Sequence, residues 1–192
     1  MSWRIIEEGH VLSISLGQIK AAFRIHHDHD DDLLRHLTYV AKQYIETYTQ
    51  TILGDVRLEL ILDRWENSKQ QISRLSQISE IPALWVSLPM GPLRTLESVS
   101  VRNVAGTWID LPVERFIVAG HRLGIKGDWP QIDSGIQSIR LVGRGGLSPI
   151  PALIEGIWMN LIRCLYDSDT PDISVVQGAL APLNSMKTKT LI

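Results

Sequence analysis

Apolar residues recur at helical spacing in two segments of the N-terminal quarter. In "LGQIKAAFRI" (16–25), Leu16, Ile19 and Phe23 fall on one face, and Ser15 precedes them as a cap. A longer helix is predicted over 31–49 because its apolar positions follow intervals of three and four: Leu33, Leu34, Leu37, Val40, Ala41, Tyr44, Ile45 and Tyr48. The two segments predict an N-terminal helix pair.

A third helix is predicted after Pro151, a residue suited to a first helical turn. One broad apolar stripe runs through it, formed by Leu153, Ile154, Ile157, Trp158, Leu161, Ile162, Leu165 and Tyr166. The stripe must pack on the sheet predicted between the helices or on a neighbouring element, and we expect this C-terminal helix to lie on the sheet.

Apolar and polar residues alternate strictly in "DVRLELILDRW" (55–65), and this period of two predicts a half-buried strand. Beyond Trp85, short apolar pieces are separated by glycine and proline, and "VAGT" is typical of a hairpin turn. The pattern predicts an α+β fold: an N-terminal helix pair, a small, mainly antiparallel β-sheet region, and the C-terminal helix packed on it.

We expect residues 1–166 to form a single domain. The Ser- and Gln-rich stretch 66–83 interrupts it and is interpreted as a mobile insertion. Residues 167–192 contain two prolines, one glycine and no sustained period, so an extended C-terminal tail is expected. Deletion of 171–192 should then leave the fold intact.

Charge and composition argue against several classes of function. With 19 basic and 21 acidic residues, the chain has a net charge of −2, which disfavours tight DNA binding. Glu7 and Glu8 interrupt any signal peptide, and no run approaches the ~18 apolar residues of a membrane span, so a soluble cytoplasmic protein is expected. The single cysteine, Cys164, is predicted to be a small buried hydrophobe.

The segment "HHDHDDD" (26–32) admits two interpretations. Imidazole and carboxylate groups are ligands for zinc or iron, so His26, His29 and the neighbouring aspartates suggest a small metal-dependent enzyme. Alternatively, the aspartates cap free amides and favour the positive end of the helix that follows. The second interpretation explains more residues, and the sequence offers no nucleophile motif, so no catalytic, cofactor or metal residue is assigned.

The order of local patterns resembles the head-tail connector, or head-completion adaptor, proteins of tailed phages, which also occur in gene transfer agents. The resemblance spans about residues 13–183 and is carried by "SLGQIKAAFRI", "DDLLRHLTYVAKQYIETYTQTIL", "RLELILDRW", "VSLPMGPLRTLESVSV", "IRLVGRGG" and "PIPALIEGIWMNLIRCLYD". The insertion at 66–83 departs from the family, in which the strand joins the "LP" segment more directly.

The resemblance implies a structural role rather than an enzyme, with no cofactor and no membrane contact. Such proteins form a homo-oligomeric ring, dodecameric in the family, beneath the portal protein. The ring extends the DNA channel, through which DNA passes without specific binding, and it docks a tail-side connector, stopper or tail terminator protein. The expected location is the head-tail interface of a virion or gene transfer particle made in the host bacterial cytoplasm.

Two interfaces follow as hypotheses. Ring contacts between unlike faces are assigned to the polar face of the second helix, at Arg35, Lys42, Gln43 and Glu46, although an ordinary solvated face would look the same. Portal binding is assigned to apolar anchors in the tail, namely Val175, Val176, Leu180, Leu183, Leu191 and Ile192.

Overall fold

The computed structural model describes residues 2–9, 14–63, 84–88, 91–103, 105–126, 137–168 and 173–186. The predicted insertion 66–83 and the tail anchors Leu191 and Ile192 lie outside these residues. Two compact units divide the described chain. A sheet unit is formed by residues 2–9 with 55–146, and a helical unit by residues 14–54 with 147–186.

The α+β class predicted from the sequence is confirmed. The helices are α1 (Leu16–Phe23), α2 (Asp31–Thr49), α3 (Ala152–Tyr166) and α4 (Ile173–Leu180), and 3-10 turns span Val113–Arg115 and Ala181–Met186. The strands are β1 (Ser2–Glu8), β2 (Val56–Leu62), β3 (Leu84–Ser87), β4 (Leu93–Arg102), β5 (Trp108–Leu111), β6 (Phe116–Ala119), β7 (Arg122–Ile125) and β8 (Ile139–Gly145). Strand β1 and helix α4 are elements that the hydrophobic pattern did not predict.

The N-terminal helix pair forms where the pattern placed it. Ser15 caps α1 in a capping box, since its hydroxyl accepts from the Gln18 amide while the Gln18 side chain accepts from the Ser15 amide. Arg24 ends α1 in the left-handed conformation. The bounds of α2 coincide with the predicted 31–49.

The sheet unit contains an antiparallel five-stranded sheet in the order β1-β2-β8-β4-β5 and a three-stranded sheet in the order β3-β7-β6. Its core includes the alternating leucines of β2, which are all buried: Leu58, Leu60 and Leu62. The predicted hairpin joins β4 to β5, where Gly106 has a positive φ and the Asn103 side chain accepts from the Thr107 amide.

The helical unit is held together by the apolar stripe of α3. Trp158 is fully buried, and its indole Nε1 donates to the carbonyl oxygen of Thr38 in α2 at 2.9 Å. The predicted packing partner of this stripe was the sheet, whereas its core neighbours are on α2 and the C-terminal segment. The reason is that α2 presents an apolar stripe of its own together with an acceptor for the buried indole N–H.

The expectation of an extended tail is wrong for residues 173–186, which form α4 and a 3-10 turn. Val176, Leu180 and Leu183 are buried in the helical core, at intervals of four and three. Burial of this short apolar face stabilises helices that have weak local signals. Deletion of 171–192 would therefore expose the core, contrary to the expectation from sequence.

Two smaller observations complete the fold. Cys164 was expected to be buried, but it is partly exposed because it lies at the margin of the α3 stripe. Among the described residues, no helix combines the length and apolar character that a membrane span requires.

Candidate interaction surfaces

The aspartates at 28–32 are engaged by neighbouring side chains. The Lys20 ammonium contacts Asp28 at 2.5 Å and Asp31 at 2.8 Å, which ties α1 to the start of α2. The Asp30 carboxylate accepts from the Tyr166 hydroxyl at 2.6 Å, which ties the same turn to α3. Asp30 makes no side-chain capping bond, so the predicted capping of free amides is corrected at this position, although Asp31 does lie in the first turn.

The metal interpretation of the same segment gains no geometric support. His27 and His29 have ring centroids 5.6 Å apart, and His27 Nε2 lies 3.9 Å from Asp30. Across the described part of the chain, no group of three or more His, Cys, Asp or Glu side chains converges as a metal site would require. The carboxylates instead pair with cations and a phenol, which makes the segment a junction between helices.

This junction gives a pH-dependent prediction. The hydrogen bond and charge of Lys20 hold the pKa of the Asp28 carboxyl below its ordinary value of 3.8, and the pKa of Lys20 is raised in turn. Because the pKa of Asp28 is lower in the folded state, its contribution to stability is present above 3.8 and is lost as pH falls through the folded value. Lys20→Gln should return the Asp28 pKa toward 3.8 in a carboxyl NMR titration.

Lys20→Arg is the control for this titration, because it keeps the positive charge and should keep the Asp28 pKa low. An unchanged Asp28 pKa in Lys20→Gln would contradict the pairing.

The four predicted ring residues of α2 separate into two groups. Arg35 and Gln43 are exposed, and Arg35 pairs with Asp32 at 2.6 Å. Lys42 is only 8% exposed, and its Nζ lies 3.8 Å from Glu46. Glu46 also accepts from the Leu53 amide at 2.8 Å, so these two residues stabilise the chain reversal after α2. Within this set, therefore, the side chains of Arg35 and Gln43 are on the surface of α2.

The residues predicted as tail anchors also divide into a buried group and an exposed one. Val176, Leu180 and Leu183 belong to the helical core, whereas Val175 is 48% exposed and Ile173 is also exposed. Beside Ile173, an apolar groove of about 230 Å³ lies between α2 and α4. Its lining comprises Tyr44, Thr47, Tyr48, Ile173, Val176, Gln177 and Leu180.

A charged face of the five-stranded sheet was missed from the sequence. Glu59, buried in the middle of β2, is flanked by Arg4 of β1 at 2.5 Å and by Arg140 of β8 at 3.2 Å. A second group joins Arg57 to Glu97 at 2.7 Å, with Arg144 at 3.5 Å from the same carboxylate. Alternation in β2 marks Arg57 and Glu59 as sharing a face, but their partners come from strands distant in sequence.

Comparison with known proteins shows which family part of this chain resembles. Residues 13–81 match the family model described as "Phage gp6-like head-tail connector protein". The predicted resemblance to head-tail connectors is confirmed. Among curated proteins, no match was found.

Solved structures extend the similarity in fold to the complete chain. A chain in the virion of a native gene transfer agent particle is 15% identical, with a TM-score of 0.73. A chain in the neck of an empty gene transfer agent particle, computed with C6 symmetry, is 14% identical with a TM-score of 0.69. One in the neck of a native particle, computed with C12 symmetry, is 19% identical with a TM-score of 0.68. Each alignment covers 100% of this chain and 98% of the other.

Proposed function

We propose that this protein is a structural head-tail connector of a tailed phage or gene transfer particle. The observation that carries the proposal is the match of residues 13–81 to the gp6-like head-tail connector family. The end-to-end similarity in fold to chains of gene transfer agent necks supports it. The protein is a ring component beneath the portal, extends the DNA channel and docks a tail-side protein.

The role is structural and not catalytic. Ion pairs with Lys20 and a hydrogen bond from Tyr166 engage carboxylates of the one segment that suggested metal chemistry. The net charge of −2 suits a conduit, because a strongly basic lumen would bind the passing duplex by releasing counterions. Both observations fit a particle component whose function resides in its interfaces.

Ring formation is the first test of this function. The similar neck chains come from particles computed with C6 and C12 symmetry, which supports a cyclic assembly here. Light scattering of the protein, alone and mixed with its portal assembly, should give the mass of a multimer in at least one condition. A single-copy mass in both conditions would contradict the proposal.

Within the ring, Arg35 and Gln43 on α2 contribute to the subunit contact. Arg35→Ala with Gln43→Ala should reduce the multimer fraction by about tenfold, the effect of losing ~1.4 kcal/mol of association free energy. The matched control is Arg163→Ala with Asn160→Ala, which removes an exposed arginine and an exposed amide from α3. Equal multimer fractions in the two variants would contradict the assignment of α2 to the subunit contact.

Portal binding is assigned to the exposed side of α4 at Val175. Val175→Lys should keep the fold, since this side chain is 48% exposed, but should weaken attachment to portal assemblies measured by co-sedimentation. Val175→Ile retains an apolar contact and is the control. Full attachment of the lysine variant would exclude this face from the portal contact.

A further inference from the structure

The five-stranded sheet of the sheet unit ends in two different open edges. Its order, β1-β2-β8-β4-β5, places β1 at one end and β5 at the other. Among the described residues, each of these strands pairs with one neighbour, β1 with β2 and β5 with β4. An open edge presents unpaired backbone donors and acceptors, which makes it a template for another strand.

Strand β1 is an exposed edge of the sheet. Every one of its seven residues is exposed except Ile5, which is intermediate. Trp3 is 42% exposed, and Ile6 is 44% exposed. Soluble proteins protect such edges with charged side chains, proline, bulges or short strands, and the second half of β1 has two of these features, a register shift between Ile5 and Glu7 and the acidic pair Glu7 and Glu8. The first half, which contains Trp3, has neither a proline nor a register shift. This half of β1 is the part of the edge that we assign to a partner.

Strand β5 matches β1 in the distribution of its side chains over the two faces of the sheet. Trp3 lies opposite the buried Leu60, and Ile109 lies opposite the buried Val101, so both belong to the face of the sheet that contains these core residues. Ile109 is 46% exposed at its edge. A copy of β1 placed beside β5 would therefore continue the apolar face without a break.

The charged face matches as well. Arg4 lies opposite Glu59 at the β1 edge, and the exposed Asp110 lies opposite Ser100 at the β5 edge. The β1 edge also carries Glu7 on this face, opposite Arg57, so the opposite charges available for a contact are those of Arg4 and Asp110. Opposite charges on neighbouring strands stabilise pairing, and like charges destabilise it.

The direction of the strands fits a ring. Every pairing along the sheet is antiparallel, and the four steps from β1 to β5 leave these two strands running in the same direction. In a ring with the C12 symmetry of a similar neck, neighbouring copies differ by 360°/12 = 30°. A rotation of this size does not reverse the polarity of a strand, so a contact between β1 of one copy and β5 of the next is expected to be parallel.

We propose that β5 of one copy pairs with β1 of the next copy, so that the five-stranded sheet continues from subunit to subunit. This inference rests on the proposed ring and assigns a contact to it. It is heterologous, as ring closure requires, because two unlike edges meet. The occupant of each edge is a second copy of this chain.

Charge substitution tests the contact. Trp3→Glu and Ile109→Lys should each reduce the multimer fraction by about tenfold, since each places a lone charge in a parallel pair. The double variant should regain multimer, because the new charges then face each other across the interface. Leu153→Lys, at a 58% exposed position of α3, is the matched control and should leave assembly unchanged.

Disulfide formation gives an independent measurement. In a Cys164→Ser background, cysteines at Trp3 or Ile5 combined with cysteines at Ile109 or Leu111 should yield a ladder of linked copies upon oxidation. Cysteines at Leu153 and Ile109 should not. Rings that form no ladder with any of the four edge pairs, or that assemble fully with Ile109→Lys, would overturn the inference alone. Wild-type protein that forms no ring would overturn both this inference and the proposed function.

Discussion

Replacement of Trp158 by alanine is expected to lower the free energy of unfolding of the helical unit by about 3–5 kcal/mol. Trp158 is fully buried among the apolar residues of α2, α3 and the C-terminal segment. Its removal leaves a cavity that a close-packed core fills only partly, and the carbonyl of Thr38 loses its indole donor. Urea unfolding followed by far-UV circular dichroism measures the change.

Two further variants distinguish the contribution of the Trp158 hydrogen bond from that of its packing in the core. Trp158→Phe keeps an aromatic ring but removes the donor to Thr38, and it should cost about 1–3 kcal/mol. Leu153→Ala, at an exposed position of the same helix, should change stability by no more than about 0.5 kcal/mol. A Trp158→Ala protein as stable as Leu153→Ala would contradict the packing of α3 on α2.

Replacement of Gly143 by alanine is expected to destabilise the sheet unit at the upper end of about 1–3 kcal/mol. A Cβ atom at this position of β8 would lie 2.3 Å from the Thr95 carbonyl oxygen and 3.3 Å from the Leu96 Cα of β4. Both neighbours are backbone atoms, so relief requires a shift of the strand and not a change of rotamer. Urea unfolding and hydrogen exchange of the β4 and β8 amides measure this effect.

Gly156→Ala in α3 is the matched control, because its Cβ would meet no atom within 4 Å. Alanine restricts the unfolded chain and favours helix, so this variant should gain about 0.5–1 kcal/mol. Opposite signs for the same chemical change would show that close backbone approach, not glycine itself, is what β8 requires. A stable Gly143→Ala protein would contradict the close approach of β4.

The "GRGG" segment illustrates the limit of local interpretation. Its glycines predict a tight strand-to-helix loop, and Gly146 does turn the chain with a positive φ. Gly143 and Gly145, however, lie within β8 opposite register shifts of β4. Their need for glycine arises from a strand about 50 residues earlier in the chain, and no local pattern encodes that contact.

The candidate surfaces also show which features local sequence predicts and which depend on tertiary packing. Polar character predicts that Lys42 and Glu46 face solvent, yet both serve the turn after α2 because Glu46 accepts from Leu53. Apolar character identifies Val175 and Val176 as anchors, yet only packing against the helical core distinguishes the exposed residue from the buried one. The sheet edges carry no sequence signal at all, because an edge is defined by the order of strands.

The sequence by itself determined the long helices, the strand β2, the β4–β5 hairpin and the resemblance to head-tail connectors. These features follow from periodicity, capping and turn chemistry, which act over a few residues. Only the tertiary structure decided that β1 is a strand, that the tail is helical and that α3 packs on α2. Short elements without a strong period are stable only through hydrogen bonds and burial supplied by distant residues, so their partners had to be in place first.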